Sequence, residues 1–241
     1  TVPADRPGRG ITAEERHLLI ALPRFDGIAD VADLPAGTAA FVEQCAQRWA
    51  GRQAPRLRLL GTDVALSTLT EMGTALPAGQ VPLGLRETDL QPYVADFAAE
   101  PHLLVFGDSA SGKSQTLRTV IAGLVRDVDD GADSGAVEAK LVLVDYRRSL
   151  LGTVPDAALA GYASSAQNAA ALAGQLAQYL SARLPGEDVT AEQLADGSWW
   201  TGPVIYLVID DYDLVATASG NPLQPLLELL GHGRDIGFRV I

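Results

Sequence analysis

The sequence has few of the residues that build disulfides and metal sites. One cysteine, Cys45, occurs in 241 residues, which excludes an internal disulfide and any cluster of thiolate ligands. The three histidines, at 17, 102 and 232, are too scattered to suggest a zinc site. Long apolar runs are also missing. The longest, Val204 to Ile209, has the length of a strand and falls far short of the roughly eighteen residues that cross a bilayer.

Basic residues are scarce as well. Lys and Arg total 18 against 30 Asp and Glu, which gives a formal net charge of −12. This balance argues against nucleic-acid binding, because a protein that binds phosphate backbones needs a positive surface. Only two residues are lysines, Lys113 and Lys140, so a lysine inside a motif stands out. The hydrophobic fraction of 47% and the charged fraction of 20% are those of a globular protein with a real core.

The motif that carries chemistry is GDSASGKS at residues 107–114, which fits G-x-x-x-x-G-K-[ST] at every fixed position. Its glycines let the backbone amides turn inward onto phosphate oxygens, and the helix that follows points its positive end at the same anion. Lys113 would reach the β- and γ-phosphates, and the Ser114 hydroxyl would bind Mg²⁺. The alternative is a flexible Gly/Ser turn whose lysine points to solvent. The predicted nucleotide-binding residues are Gly107, Asp108, Ser109, Ala110, Ser111, Gly112, Lys113, Ser114, Gln115 and Thr116.

Two acidic residues follow the apolar run 204–209. An apolar strand that ends in acids, downstream of such a loop, places a carboxylate near Mg²⁺. We expect Asp210 to hold the ion through water, together with Ser114. Asp211 occupies the position of the base that activates water, but its side chain is one methylene shorter than that of Glu, by about 1.5 Å. ATP hydrolysis is therefore expected to be weak or absent. The alternative is that both acids only cap the strand end.

Apolar runs alternate with helical patterns from residue 81 onward, which predicts an α/β fold with a mainly parallel central sheet and helices on both faces. Helix 114–128 carries its apolar residues in one stripe, and Thr190 and Gln193 have the spacing of a capping box. The predicted strands are 81–85, 93–97, 102–106, 141–144, 204–209 and 238–241. The predicted helices are 114–128, ended by the acidic stretch 127–135, then 165–184 and 223–230.

Residues 1–80 carry no recognisable chemistry and are predicted to form a linker and a small accessory layer, with the nucleotide-binding domain at 81–241. Residues 1–10 are rich in Pro, Gly and Arg and are interpreted as a linker. An apolar run spans 16–22, and 57–60 is predicted as a strand. The pattern at 38–51 predicts a helix that Thr38 caps and that buries one face.

Other candidate residues have two interpretations each. Arg147 or Arg148, after the strand 141–144, would meet phosphate or a neighbouring subunit, or they are solvated surface residues. Arg234 would act in trans on a neighbour's phosphate, or it sits at a helix end that favours a cation. Trp199 and Trp200 are interpreted as packing residues rather than a binding platform.

The motifs together resemble the FtsK/SpoIIIE-type ATPase superfamily. The resemblance rests on the P-loop and its lead-in, VPLGLRETDLQPYVADFAAEPHLLVFGDSASGKS, and on LVDYRRSL, SWWTGPVIYLVIDDYD and GNPLQPLLELL. More narrowly, the chain resembles the last of the three tandem ATPase modules in the EccC family of type VII secretion. The likeness covers nearly the whole sequence.

The resemblance implies more than the residues do by themselves. It implies a RecA-like fold in which the fourth strand lies between the P-loop strand and the strand that ends at Asp210. It also implies a parent protein on the cytoplasmic face of the plasma membrane, neighbouring ATPase modules and assembly into a ring. Terminal modules of this kind bind the C-terminal export signal of Esx-type substrates, and they bind ATP firmly but hydrolyse it poorly.

The family pattern continues past the last strand to a polar sensor residue, so we expect the domain to be C-terminally incomplete at Ile241. Two rival functions stay open. One is a hydrolysing DNA translocase of the FtsK type, and the other is a scaffold that binds no nucleotide.

Overall fold

The computed structural model describes residues 8–28, 30–52, 57–72, 76–129 and 139–241. The chain divides into two compact units, Thr1–Leu57 and Arg58–Ile241, and each is described by itself. Residues 58–80 thus lie in the second unit, and the predicted domain boundary at residue 80 stays a prediction. No helix in the described ranges combines the length and the hydropathy that a membrane span requires.

The first unit contains a short antiparallel hairpin and one long helix. Strands β1 (Arg9–Ile11) and β2 (His17–Leu19) pair with each other, and helix α1 spans Leu34–Arg48. The predicted start of this helix at Thr38 is wrong, because Pro35 in the first turn allows it to begin at Leu34. The predicted apolar face is not buried within this unit: Val42 and Trp49 are both exposed.

A buried arginine holds the loop before α1. Arg24 donates to Asp26 at 2.6 Å and to Asp33 at 2.7 Å, and also to the carbonyl oxygen of Asp30 at 3.0 Å. The guanidinium group lowers the pKa of the Asp26 carboxyl to about 2. Phe25 packs on Phe41 of α1 with ring centroids 4.6 Å apart. Polar contacts around one arginine therefore stabilise this loop.

The second unit is built on a four-stranded parallel sheet in the order β6-β5-β7-β8, beside a separate antiparallel hairpin of β3 and β4. The strands are β3 (Gln80–Leu85), β4 (Pro92–Asp96), β5 (Ala139–Val144), β6 (Leu159–Ala163), β7 (Val204–Ile209) and β8 (Phe238–Val240). The helices are α2 (Leu66–Met72), α3 (Lys113–Asp129), α4 (Ala166–Ser181), α5 (Ala191–Asp196), α6 (Tyr212–Val215) and α7 (Gln224–Leu227), followed by a 3₁₀ turn at Leu230–His232.

Helices cover both faces of the sheet, as predicted. Successive residues of a strand point to opposite faces, so Leu143 of β5 packs in the cluster with α3, whereas Val144 packs in the cluster with α4 and α7. The predicted apolar stripe of α3 is buried throughout, from Leu117 to Val125. The capping box of α5 is also confirmed, with the amide of Gln193 bonded to the Thr190 hydroxyl and the Gln193 side chain bonded to the Thr190 amide.

Two predicted strands are wrong in different ways. Residues 57–60 form no strand, and Leu57 and Leu59 are largely exposed because this run pairs with no strand in the described part of the chain. Residues 102–106 are not the buried strand that was predicted. His102 forms a single parallel bridge to Val240 of β8, and Leu104 and Phe106 beyond it are exposed. The bridge confirms that β8 lies between the P-loop segment and β7.

Two predicted helices are shorter than expected, and several elements were missed. The predicted helix 165–184 ends at Ser181, and the predicted helix 223–230 forms only α7 and the following 3₁₀ turn. Strands β1, β2 and β6 and helices α2 and α6 were not predicted, since each is too short to show a clear apolar period. Strand β1 begins at Arg9, so the end of the predicted linker 1–10 forms part of a hairpin. The part of the acidic stretch 127–135 that begins at residue 130 lies outside the described residues.

Candidate nucleotide-binding site

The motif 107–112 forms a curled loop directly before α3. Ala110 and Gly112 both adopt positive φ angles, 61° and 96°, and the amide of Ser111 donates to the carbonyl oxygen of Asp108 at 3.3 Å. Positive φ angles are common for glycine but uncommon for alanine. The loop therefore has a specific turn conformation rather than that of an unstructured coil. The loop therefore has the curled shape that brings successive amides to one side.

Backbone amides at the start of α3 point to an anion site. The amide of Thr116 is bonded to the carbonyl oxygen of Gly112 at 2.9 Å. The amides of Lys113, Ser114 and Gln115 have no hydrogen-bond acceptor within the described part of the chain. The first amides of a helix lack intrahelical partners, and they carry the positive end of its dipole. This group of donors can bind a phosphate.

Lys113 and Gly107 close the loop. The Lys113 Nζ donates to the carbonyl oxygens of Gly107 and Asp108, both at 2.9 Å, which holds the ammonium against the loop. A Cβ atom at Gly107 would lie 2.4 Å from the Oγ of Ser111, so a larger residue would displace that side chain. The loop thus brings together the lysine and the backbone that the motif predicted.

Asp210 lies at the carboxyl end of β7, next to the start of α3. Its two oxygens are 3.0 and 2.9 Å from the Oγ of Ser114, and the hydroxyl of Ser149 also donates to it. The residue is only 4% exposed, and no lysine or arginine in the described ranges forms an ion pair with it. Carboxylate and hydroxyl oxygens are the ligands that Mg²⁺ prefers, and a buried carboxylate without a cationic partner fits a divalent cation.

Asp145, at the end of the neighbouring strand β5, is also buried but is fully bonded within the protein. It accepts from the amides of Ser149 at 3.0 Å and Leu150 at 2.7 Å, and from the hydroxyl of Tyr162 at 3.0 Å. Burial and this hydrogen bond raise the pKa of Tyr162 to about 12. These contacts assign Asp145 to the structure of the loop that follows β5.

Asp211 forms an ion pair with Arg147. Its Oδ2 lies 3.0 Å from the Nε of Arg147, whose side chain is largely exposed. The backbone of Asp211 has φ 52°, in the left-handed region, where it forms the N-cap of α6. This conformation is uncommon for a residue other than glycine. The predicted base is therefore held in an ion pair.

The remaining candidates do not gather at the loop. Arg148 and Arg234 are exposed, and neither forms a hydrogen bond to the P-loop among the described contacts. Trp199 and Trp200 pack instead: the Arg183 guanidinium lies 4.1 Å from the Trp200 ring, and the Trp199 indole donates to the Arg183 carbonyl oxygen at 2.7 Å. The Trp200 indole also donates to the carbonyl oxygen of Asp235 at 2.7 Å, so both tryptophans are packing residues, as interpreted.

Sequence reasoning missed Ser149. Arg147 and Arg148 were the candidates in this segment, whereas the hydroxyl that reaches Asp210 belongs to Ser149, the residue directly after them. A signal was present, because the carboxyl ends of neighbouring parallel strands meet at one edge of the sheet. A loop that follows β5 therefore had to lie beside the loop that follows β7.

An apolar cavity of about 650 Å³ adjoins the loop. Its lining includes the segment 103–107, with its exposed Phe106, and Leu207 and Ile209 of β7. Lys113 and Asp210 also line it. The other lining residues include leucines in and around α7, Leu223, Leu226, Leu227 and Leu230.

A P-loop before a helix, beside the acidic end of a parallel strand, defines a RecA-like P-loop ATPase domain. The chain belongs to the FtsK/SpoIIIE family, whose model matches residues 67–194. It is 42% identical over 243 residues to the ESX secretion system protein EccC of Thermomonospora curvata, and 41% identical over 241 residues to the ESX-4 secretion system protein EccC4 of Mycobacterium tuberculosis.

Both alignments cover 100% of this chain but only 18% of each relative, so the chain spans less than a fifth of their length. A solved structure of Thermomonospora curvata EccC, ATPases 2 and 3 in complex with a signal sequence peptide, matches with a TM-score of 0.72 and 39% identity. That match covers 99% of this chain and 41% of the solved one. The chain is thus similar to an ATPase module of EccC.

Proposed function

We propose that the chain binds ATP and Mg²⁺ as a module of a type VII secretion ATPase. The observation that carries this proposal is the curled loop before α3, where the amides of Lys113, Ser114 and Gln115 have no acceptor in the described part of the chain and the Lys113 ammonium is held against the loop. Together they supply the donors and the positive charge that a triphosphate requires. The remaining predicted residues, Gly107 to Gly112 and Thr116, shape the loop and the first helical turn.

Magnesium would be held by the Ser114 hydroxyl directly and by Asp210 through water. The two side chains already lie within hydrogen-bond distance of each other, and the chemistry of both suits this ion. Bound magnesium neutralises charge on the β- and γ-phosphates. Two protein oxygens are few for such an ion, so the site is expected to be occupied strongly only together with nucleotide.

We propose weak or absent intrinsic hydrolysis. A general base must come within hydrogen-bond reach of the attacking water, and the Asp211 carboxylate is both shorter than Glu and paired with Arg147. The nucleotide would then mainly stabilise the fold. A ligand at 100 times its Kd that binds only the folded state adds about 2.7 kcal/mol to the free energy of unfolding.

The proposed role in secretion includes recognition of a C-terminal export signal of an Esx-type substrate. Support comes from the relative whose solved complex contains a signal sequence peptide. The parent protein would lie at the cytoplasmic face of the plasma membrane, with neighbouring ATPase modules and ring-like assembly. The rival DNA translocase is disfavoured by the net charge of −12.

Thermal unfolding with and without ATP and Mg²⁺ tests the nucleotide proposal. Saturating ATP should raise the Tm of the wild-type chain by roughly 5–10 °C, since 1 kcal/mol shifts Tm by about 2–4 °C at this size. Lys113→Ala should abolish the shift. Lys140→Ala is the matched control. It removes the same positive charge near the start of β5, whereas the proposed site lies at the carboxyl ends of the strands, and this variant should retain the shift. An equal shift in Lys113→Ala would contradict the proposal.

Two further measurements separate the secretion proposal from its rivals. The wild-type chain should bind a peptide that carries an Esx-type C-terminal signal and should not bind a scrambled peptide of equal composition. Phosphate release should stay slow when DNA is added. Release that DNA accelerates, with DNA binding that weakens steeply as salt rises, would favour the translocase. Binding of the peptide without any nucleotide binding would favour the scaffold.

A further inference from the structure

The loop after β5 places a second hydroxyl on the proposed metal-binding carboxylate. The Ser149 Oγ donates to the Oδ2 of Asp210, across 61 positions of sequence. The Ser114 Oγ lies within 3.0 Å of both oxygens of the same carboxylate. These two serines are the side-chain donors to Asp210 among the described contacts, and they come from separate segments of the chain.

The backbone around Ser149 is fastened from two sides. The amides of Ser149 and Leu150 donate to the two oxygens of Asp145, and the Leu150 side chain is fully buried. On the other side, the guanidinium of Arg118 in α3 donates to the carbonyl oxygen of Ser149 at 2.6 Å. The backbone of the loop is therefore rigid at Ser149. For this reason the Ser149 hydroxyl can hold the Asp210 side chain in one rotamer.

The hydroxyl proton has two acceptors in reach, the carboxylates of Asp145 and Asp210. Ser149 Oγ lies 3.3 Å from the Oδ1 of Asp145, and it also donates to the Oδ2 of Asp210. Asp145 already accepts from two amides and from Tyr162. Among the described contacts, the Asp210 carboxylate accepts only from serine hydroxyls, so the Ser149 proton satisfies a carboxylate that has few other donors.

We propose that Ser149 is a positioning residue for magnesium-dependent nucleotide binding. It fixes the Asp210 carboxylate so that its oxygens face the Ser114 hydroxyl, where the ion would be held. This inference rests on the proposed binding of ATP and Mg²⁺. Partners that orient a metal-binding carboxylate contribute about 10–100-fold to metal affinity, which sets the expected size of the effect.

The test is a Mg²⁺ titration of ATP affinity in the wild-type chain and in Ser149→Ala, with a parallel measurement in EDTA. In EDTA the two proteins should bind ATP equally. Mg²⁺ should strengthen ATP binding by the wild-type chain. In Ser149→Ala this Mg²⁺-dependent gain in affinity should be about 10–100-fold smaller. Ser149→Thr keeps a hydroxyl and should recover the wild-type Mg²⁺ dependence.

Thr153→Val is the matched control. It removes a hydroxyl from the same loop, one that donates to the carbonyl oxygen of Leu150 at 2.7 Å and does not reach Asp210. This variant should keep the wild-type Mg²⁺ dependence. Loss of ATP affinity in EDTA as well, with earlier thermal unfolding of Ser149→Ala, would show a structural role and overturn the inference.

The remaining outcomes separate the inference from the function beneath it. A wild-type Mg²⁺ effect that survives unchanged in Ser149→Ala overturns the inference and leaves the proposed function intact. A wild-type chain that binds no ATP with or without Mg²⁺ overturns the proposed function, and the inference falls with it.

Discussion

Asp145 and Asp210 occupy equivalent places on neighbouring parallel strands, yet their surroundings differ. In the register of the sheet Val144 lies opposite Ile209, so the two aspartates follow the strands side by side. Both are buried, at 0% and 4% exposure. Asp145 accepts from two backbone amides and a tyrosine hydroxyl, whereas the Asp210 carboxylate accepts, within the described part of the chain, only from serine hydroxyls. A buried carboxylate that backbone amides satisfy is structural, and one that accepts from side-chain hydroxyls can serve a ligand.

The largest effect is expected from Asp145→Ala. This change leaves the amides of Ser149 and Leu150 without their acceptor, together with the Tyr162 hydroxyl. Each buried donor left unpaired costs about 1–3 kcal/mol, so the loss of three hydrogen bonds should lower the free energy of unfolding by at least about 3 kcal/mol. Urea denaturation measures this loss. The control Asp156→Ala removes an exposed acid of the same region and should change stability by less than about 0.5 kcal/mol.

Asp210→Ala should have the opposite combination of effects, a small change in stability and a large loss of Mg²⁺-dependent nucleotide affinity. The serine hydroxyls can turn to other acceptors, and a buried charge disappears, so the free energy of unfolding should stay within about 1 kcal/mol of the wild type. Nucleotide affinity in the presence of Mg²⁺ should weaken by about 10–100-fold, with little change in EDTA. Calorimetric titration with ATP measures the affinity with Mg²⁺ and in EDTA, and urea denaturation measures the stability. If this variant unfolded as readily as Asp145→Ala and kept its Mg²⁺ dependence, the contrast between the two carboxylates would be wrong.

Tyr162→Phe weakens the Asp145 network without breaking it. Loss of the hydroxyl bond should reduce the free energy of unfolding by about 1 kcal/mol at neutral pH. Because the folded protein raises the pKa of Tyr162 to about 12, the stabilisation is present below the ordinary tyrosine value of about 10 and is lost as pH rises toward about 12. The stability difference between wild type and variant should therefore shrink in this window. A difference that stayed constant up to pH 12 would contradict the assignment.

Arg147→Ala should have the smallest effect. Its ion pair with Asp211 is largely exposed on the arginine side, and such pairs contribute about 0–1 kcal/mol. Stability and ATP affinity should both stay close to the wild type. Phosphate release should also stay slow, because a freed Asp211 is still shorter than Glu. Rapid hydrolysis in this variant would show that the ion pair, rather than side-chain length, limits turnover.

The curled loop 107–112 and the start of α3 were predictable because the information that defines them is local. Glycines, a lysine and a serine at fixed spacing define the curl and the helix start, and the motif needs no distant partner to be recognised. Strands β5 and β7 were predictable for a similar reason, since strands covered on both faces have continuous apolar runs. The stripe of α3, from Leu117 to Val125, followed directly from helical spacing.

The predictions that failed concerned elements and side chains whose structure depends on contacts with distant parts of the chain, and the sequence does not reveal those contacts. Residues 57–60 and 102–106 are apolar, but a strand forms only where another strand supplies hydrogen bonds, and 103–106 receive them from β8 at one point only. The start of α1 was set by Pro35 rather than by Thr38. The contacts of Ser149, Arg118 and Arg147 required knowledge of which loops meet at the sheet edge, so the difference between Asp145 and Asp210 emerged only from the structure.

The most direct test of the central claim is an experimental structure of the chain with a slowly hydrolysed ATP analogue and Mg²⁺. The account predicts a phosphate within hydrogen-bond distance of the amides of Lys113, Ser114 and Gln115. It also predicts an ion beside Ser114 and Asp210. A nucleotide bound elsewhere, or a loop 107–112 that remains without phosphate at saturating analogue, would contradict it.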